Sequence, residues 1–137
     1  MFERCIYFNT NALARRLNER WDTAFARFGL APSHGYLLRL VLERPRLSQQ
    51  AIASELRLEK STVARFLDEL EKRGLVERRR SGRDPRQNEI VPAPAARRMQ
   101  KDLEALGDEL YAEMCKSIGS AEVKAFVKSA RAIADSL

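Results

Sequence analysis

The densest group of residues that could do chemistry is the arginine-rich stretch RRRSGRDPR at positions 78–86. It holds five arginines and one aspartate, and so carries a net +4 of the chain's total charge of +6. The planar guanidinium group of arginine can bind a phosphate or a guanine through two parallel hydrogen bonds. The stretch therefore indicates a nucleic-acid partner, although a basic surface loop without any partner is an alternative at this point.

A second polar group lies shortly before this stretch, near the start of a predicted helix. Its members are small hydroxyls and long cations on the face that points away from the apolar residues of the same helix: Lys60, Ser61, Thr62 and Arg65. Such side chains at a helix N-terminus can approach base edges in the major groove. This pattern predicts a recognition helix whose apolar face contains Val63, Leu67 and Leu70.

Two helices and a hairpin must hold these groups in place. A short helix over 48–55 with Ser48 as its N-cap, a break at 56–58 and a helix from Glu59 to a C-cap at Gly74 have helix-turn-helix spacing. Apolar pairs at 75–76 and 90–91 around a Gly/Asp/Pro tip predict a two-stranded hairpin. Further helices are predicted over 9–28, from Pro32 towards Pro45, over 97–116 and over 120–136. The predicted fold is mainly α with a small β-hairpin.

The helix-turn-helix and the arginine stretch together resemble the multiple antibiotic resistance regulator (MarR) family. The resemblance rests on residues 47–86, LSQQAIASELRLEKSTVARFLDELEKRGLVERRRSGRDPR, and on the motifs Ser61-Thr62-Val63, Gly74-Leu75-Val76 and Asp84-Pro85-Arg86 within them. Since no Pro/Gly-rich linker divides the chain, we expect a single domain over 1–137. The resemblance implies a winged helix-turn-helix lobe at 32–92 and dimerisation helices at 1–31 and 93–137. It also implies a homodimer that binds double-stranded DNA at a palindromic operator, and we expect a repressor released by a small-molecule effector.

The same resemblance assigns roles to individual residues. Ser61, Thr62 and Arg65 would meet bases or phosphates, and Arg86 would reach into the minor groove while Asp84 braces it. The predicted DNA-binding set is completed by other cations of the recognition helix and the wing: Lys60, Arg80 and Arg83. After the second wing strand, many family members have Thr-x-x-Gly, whereas this chain has Ala93-x-x-Ala96 between Pro92 and Pro94. The form of the wing-to-helix junction is therefore left open.

An effector pocket is also implied by the resemblance, between the dimerisation helices and the DNA-binding lobe. A small aromatic or phenolic effector would meet an aromatic cage with one or two cations, from the residues Asn11, Arg15, Trp21, His34, Tyr36 and Arg39. Each of these residues has an equally ordinary packing role, and His34 in particular suits a partly exposed first turn.

The outer helices carry more apolar surface than a lobe of about 60 residues can cover. We expect a partner subunit to cover their apolar residues: Phe8, Leu13, Phe126, Val127 and Ile133. The alternative is that these residues pack on one another within one chain.

Other functional classes have less support in the sequence. No GxSxG, HExxH, Walker A or GxGxxG motif is present, and Asp68 and Glu69 fit a solvated helix surface with Lys72 and Arg73 as their i+4 partners. With one histidine and two cysteines 110 positions apart, we expect no catalytic site, metal or cofactor. A nonspecific architectural DNA-binding protein and a winged helix that binds another protein are alternatives.

A thiol redox-sensing regulator is a further alternative. Peroxide-sensing members of the family keep a reactive cysteine early in the first helix, but the alignment on Gly29-Leu30 puts Tyr7, not Cys5, at that position. An inert thiol is the ordinary reading of Cys5. No apolar run approaches the roughly 20 residues of a membrane helix. Since Met1–Arg4 also lacks a signal pattern, we expect a cytoplasmic protein without a membrane partner.

Overall fold

The computed structural model describes all 137 residues and has the predicted order of helices, with one more strand than expected. The helices are α1 (Ile6–Phe25, followed by a 3-10 turn at Ala26–Phe28), α2 (Pro32–Glu43), α3 (Gln49–Leu56), α4 (Lys60–Lys72), α5 (Pro94–Ile118) and α6 (Ser120–Ser136). The strands are β1 (Leu47–Ser48), β2 (Val76–Arg80) and β3 (Asn88–Pro92). Six helices with a small antiparallel sheet confirm the predicted winged-helix fold class, although α1 begins three residues before the predicted position 9.

The chain divides into two compact units, Met1–Gln100 and Lys101–Leu137. The first contains the helix-turn-helix, the sheet and α1. The second contains most of α5, with Leu103, Leu106 and Leu110 buried, and all of α6, which has no buried residue. None of the helices combines the length and the apolar character that crossing a membrane requires. The single-domain boundaries stay a prediction.

The caps predicted for the helix-turn-helix are present. The Ser48 hydroxyl accepts a hydrogen bond from the Ala51 N–H at 3.0 Å and starts α3. Arg57, at φ +57°, turns the chain between α3 and α4, with its N–H directed at the carbonyls of Ala53 and Ser54. Gly74 ends α4 at φ +70°, a backbone conformation in which a residue with a Cβ would be strained.

The sheet has three strands rather than the two expected. Its order is β1-β3-β2, with Leu47 opposite Ile90 and Arg78 also opposite Ile90 on the other side of β3. The prediction of a two-stranded hairpin missed β1, because a strand of two residues has no periodic pattern to detect. The pairing ties the start of α3 to the base of the wing.

The junction between the wing and α5 is formed by small buried residues. Ala93 donates its N–H to the Leu75 carbonyl at 2.9 Å, and both Ala93 and Ala96 are buried. Pro94 is the first residue of α5, where the missing N–H has no helical partner to lose. The departure from the family pattern therefore falls on a closely packed junction in which alanine fits.

Candidate nucleic-acid interface

The recognition helix α4 has one fully buried face and one exposed face. Val63, Leu67 and Leu70 have no exposed surface, as predicted from their spacing. On the other side Lys60, Ser61 and Arg65 are exposed and Thr62 is half-buried. The packing of the apolar face therefore fixes the helix while its polar N-terminal half faces outward.

The wing tip is shaped by two short side chains. The Ser81 hydroxyl accepts hydrogen bonds from the N–H groups of Arg83 at 3.1 Å and Asp84 at 3.2 Å. Asp84 Oδ1 then accepts from the backbone N–H of Arg86 at 3.0 Å and lies 3.4 Å from its Nε. Asp84 thus contacts both the backbone and the side chain of Arg86, which remains 90% exposed, and their roles on DNA stay a prediction.

The five arginines of the 78–86 stretch have different surroundings. Arg78 Nη2 donates to Asp68 Oδ1 at 2.8 Å and to the Ala64 carbonyl at 3.2 Å, which ties β2 to α4. Arg79 pairs with Glu77 at 2.8 Å. The remaining three arginines are exposed: Arg80, Arg83 and Arg86. Part of the arginine charge therefore serves the internal architecture of the wing.

The local pairs expected on the surface of α4 are wrong. Asp68 pairs with Arg78 of β2 instead of Lys72. Arg73 was expected to pair with Glu69. It donates instead to the backbone carbonyls of Phe28 and Gly29 and so joins the end of α4 to the turn after α1. In both cases a tertiary partner replaces the i+4 partner.

A cleft of about 290 Å³ joins the helix-turn-helix to the wing. Its lining comes from the start of α3, the first residue of α4 and the segment around the start of β3: Ser48, Gln49, Gln50, Lys60, Arg86, Gln87 and Asn88. We call it the helix–wing cleft. Two predicted DNA-binding residues, Lys60 and Arg86, meet there, and no carboxylate lines it. The four amide residues were missed by sequence reasoning, because only the fold brings these three segments together.

The predicted effector residues fall into separate groups. Trp21 donates its indole N–H to the Tyr36 hydroxyl at 3.0 Å, and the Tyr36 ring lies 5.7 Å from that of Phe25. The Asn11 amide donates to the Tyr7 carbonyl in its own helix, at 2.8 Å. The two cations of the set are Arg15, which is exposed, and Arg39, which is half-buried. Trp21 and Tyr36 thus contact each other, while the amide of Asn11 bonds within α1, and the effector pocket stays a prediction.

His34 faces the recognition helix instead of the Trp21–Tyr36 pair. Its ring contacts Phe66 of α4 edge-on, with the centroids 4.5 Å apart. Burial lowers the pKa of His34 below its ordinary value, the negative charge of Glu69 opposes that shift, and the positive charge of Arg73 adds to it. The histidine is therefore a packing contact between α2 and α4 that favours the neutral imidazole.

The two cysteines are free thiols. Cys5 is exposed and acts as the N-cap of α1, with its sulfur accepting from the Phe8 N–H at 3.4 Å. Cys115 is half-buried in α5. No three His, Cys, Asp or Glu residues are grouped so that they could hold a metal ion. The redox hypothesis for Cys5 stays a prediction.

Comparison with known proteins finds a family model that matches part of the sequence and solved structures that share the fold. Residues 30–87 match the model of the MarR family. The transcriptional repressor CouR bound to a 23-mer DNA duplex is 22% identical, with a TM-score of 0.86 over 97% of this chain and 94% of that one. CouR from Rhodococcus jostii RHA1 bound to p-coumaroyl-CoA is 24% identical, with a TM-score of 0.82 over 98% and 94%.

A MarR protein from Peptoclostridium difficile is 16% identical, with a TM-score of 0.83 over 98% of this chain and 88% of that one. No curated protein matches the sequence. At such low identities the structural matches show a shared fold, while the match of the family model concerns the sequence itself. Residues 30–87 therefore match the MarR family in sequence, and almost the whole chain shares its fold with the solved structures of a transcriptional repressor and a MarR protein.

Proposed function

We propose that this chain is a DNA-binding transcription regulator that reads base edges through α4 and holds the flanking DNA through its wing. One observation carries the proposal: Lys60 at the start of α4 and Arg86 of the wing line a common cleft, in a segment whose sequence matches the MarR family. In this arrangement Arg65 is the side chain on α4 with the reach and the donors for a guanine. Ser61 and Thr62 are short enough to let the helix approach the bases closely.

The apolar surface of the outer helices supports a homodimer. Phe8 and Leu13 of α1 are 46% and 39% exposed, and Phe126 and Ile133 of α6 are 52% and 42% exposed. Packing of these residues within one chain would have buried them, so a second copy of the chain is the better explanation. Two-fold symmetry would separate the two recognition helices by about 34 Å, one turn of DNA, which matches a palindromic site.

Repression and release by an effector form the finer part of the proposal. The CouR structures are described as a transcriptional repressor on DNA and as a protein bound to p-coumaroyl-CoA, and their fold is shared by this chain. The Trp21–Tyr36 pair offers aromatic surface and a hydroxyl for a small aromatic or phenolic effector. Arg15 and Arg39 would supply the positive charge for a carboxylate on that effector.

Selection of bound sequences from a random duplex pool tests the proposal. We expect enrichment of a palindrome whose half-sites are centred about 10 base pairs apart. Salt-dependent binding without enrichment would indicate the architectural alternative, and absence of binding would indicate a protein-interaction module. Either result would overturn the proposed function.

Substitution of single cations assigns the contacts. Arg65→Ala should cost about 1–3 kcal/mol of binding free energy and relax base preference at one position. Arg79→Ala is the matched control, because Arg79 is already paired with Glu77 on the wing. An equal loss on all sequences would make Arg65 a phosphate contact, and an unchanged affinity of Arg86→Ala for any DNA would contradict the role of the wing.

A further inference from the structure

The helix–wing cleft has the composition of an anion site outside the recognition helix. We propose that it holds one phosphodiester group of the DNA backbone, with Gln49, Gln50 and Asn88 as additional donors beside Lys60 and Arg86. This inference rests on the proposed DNA binding and deepens it. None of the three amide residues is among the contacts that the sequence predicts.

The chemistry of the lining favours a phosphodiester. Lys60 contributes one positive charge and Arg86 a second, which Asp84 offsets in part from 3.4 Å. The amides can donate hydrogen bonds through their NH₂ groups. The Ser48 hydroxyl is already engaged as an acceptor for the Ala51 N–H. The lining thus combines positive charge with several donors and includes no carboxylate, which suits an acceptor-only anion.

The acidic residue next to the cleft along β3, Glu89, is paired with a cation outside the lining of the cleft. Glu89 is next to Asn88 in sequence, but its carboxylate pairs with Arg46 Nη1 at 3.1 Å and its side chain is only 15% exposed. Because the charge of Glu89 is met by Arg46, its effect on an anion in the cleft is reduced.

The walls of the cleft are fixed relative to each other by β1. Ser48 is opposite Glu89 in the antiparallel pairing, so Gln49 and Asn88 are each the direct chain neighbour of a paired residue. The Arg46 N–H also donates to the Ile90 carbonyl at 2.9 Å. The two-residue strand therefore holds the start of α3 against the base of the wing before DNA arrives, which lowers the ordering cost of binding.

The position of the cleft agrees with a backbone contact. Lys60 begins α4, whereas Gln49 and Gln50 belong to the first helix of the helix-turn-helix, which crosses the DNA backbone when the second helix enters the major groove. Asn88 begins the strand that leads back from the wing. A phosphate held between them would make α4 and the wing approach the duplex as one unit.

A matched pair of isosteric substitutions tests the inference. Asn88→Asp puts a negative charge into the cleft, and Asn18→Asp puts the same charge on the exposed surface of α1. Affinity is measured for the duplex selected from the random pool and for a scrambled duplex of equal length. We expect Asn88→Asp to weaken binding to both duplexes about tenfold and to lower the salt slope by about one, and Asn18→Asp to change either affinity less than about twofold.

Neutralisation of single phosphates identifies the bound group. Each duplex carries one methylphosphonate, which removes the charge of one phosphate. We expect one such position per half-site to weaken DNA binding by the wild type and not to weaken binding by the Asn88→Asp variant further. Gln50→Glu repeats the test from the other wall, and equal urea midpoints for all variants exclude a folding defect.

Equal affinities of Asn88→Asp and Asn18→Asp would overturn the inference. So would a loss confined to the selected sequence, since it would assign Asn88 to a base. A wild-type protein without salt-dependent DNA binding would instead contradict the proposed function itself, so the two failures are distinguishable.

Discussion

The contact between Arg78 of the wing and Asp68 of α4 leads to an asymmetric prediction about stability. Arg78 Nη2 lies 2.8 Å from Asp68 Oδ1 and 3.2 Å from the Ala64 carbonyl, and the side chains of Arg78 and Asp68 are 24% and 59% exposed. The Nε of Arg78 is buried and has no hydrogen-bond partner. We expect removal of the arginine to be milder than removal of its carboxylate partner.

Opposing effects nearly cancel for Arg78→Met. The substitution loses a partly exposed ion pair worth about 0.2–1 kcal/mol and a hydrogen bond worth about 0.5–1.5 kcal/mol. It also removes the unpaired buried N–H, which costs the wild type about 1–3 kcal/mol. Methionine keeps the apolar stem of arginine in place. The free energy of unfolding should therefore stay within about 1 kcal/mol of the wild-type value.

For Asp68→Ala, by contrast, every effect lowers the free energy of unfolding. It leaves the mostly buried guanidinium group without its counter-charge and keeps the unpaired Nε. Removing one partner of a fully buried pair costs about 3–5 kcal/mol, and since Asp68 is more than half exposed we expect about 1–2 kcal/mol here. The double variant should resemble Arg78→Met, because without the arginine the aspartate has no further effect.

Urea unfolding at one fixed protein concentration measures these differences, since dimerisation would make stability concentration-dependent. Arg79→Met and Glu77→Ala are the controls, because their pair is about half exposed on both sides and each should cost less than about 0.5 kcal/mol. An Arg78→Met variant destabilised by about 2 kcal/mol, and more than Asp68→Ala, would refute the reasoning.

Three further predictions concern α2 and the N-terminus. Gly35→Ala gains about 1 kcal/mol of helix propensity, but its new Cβ would overlap the buried Phe25 ring, and overpacking costs about 1–3 kcal/mol, so we expect a net loss of stability. Urea unfolding of Gly35→Ala, alone and combined with Phe25→Leu, checks this, because the second substitution should recover part of the loss. Since burial lowers the pKa of His34, its neutral form should stabilise the fold fully above the ordinary pKa of 6.5, and this stabilisation should decrease as the pH falls through that value. His34→Gln should flatten the dependence of the unfolding free energy on pH, and an equal slope in both proteins between about pH 8 and about pH 5 would rule this out. If Cys5 is a redox switch, peroxide should abolish DNA binding by the wild type and leave Cys5→Ser unaffected; unchanged binding with the thiol shown to be oxidised by mass spectrometry would eliminate the switch.

Local sequence patterns predicted the recognition helix and its caps. Val63, Leu67 and Leu70 recur at helical spacing, and their burial follows from that period alone. Ser48 and Gly74 occupy positions where a hydroxyl and a left-handed backbone each satisfy unpaired groups at a helix end. These features depend on residues within a few positions of one another, so no knowledge of the tertiary fold was needed.

Features that depend on distant pairing were not predictable in the same way. Asp68 prefers Arg78, ten positions away, because β2 folds back along α4 and offers a partner with a second hydrogen bond to the Ala64 carbonyl. His34 and Tyr36 are two positions apart, and two helical steps turn their side chains to nearly opposite sides of α2. A pocket assembled from sequence positions could not distinguish these two directions.

An equilibrium titration with two duplexes tests the central claim most directly. The duplex selected from the random pool and a scrambled duplex are each titrated at low and at physiological salt. We expect the selected duplex to bind about 10³-fold or more tightly than the scrambled one, and both affinities to fall steeply with salt. Equal affinities for the two duplexes, or affinities that do not respond to salt, would contradict the claim.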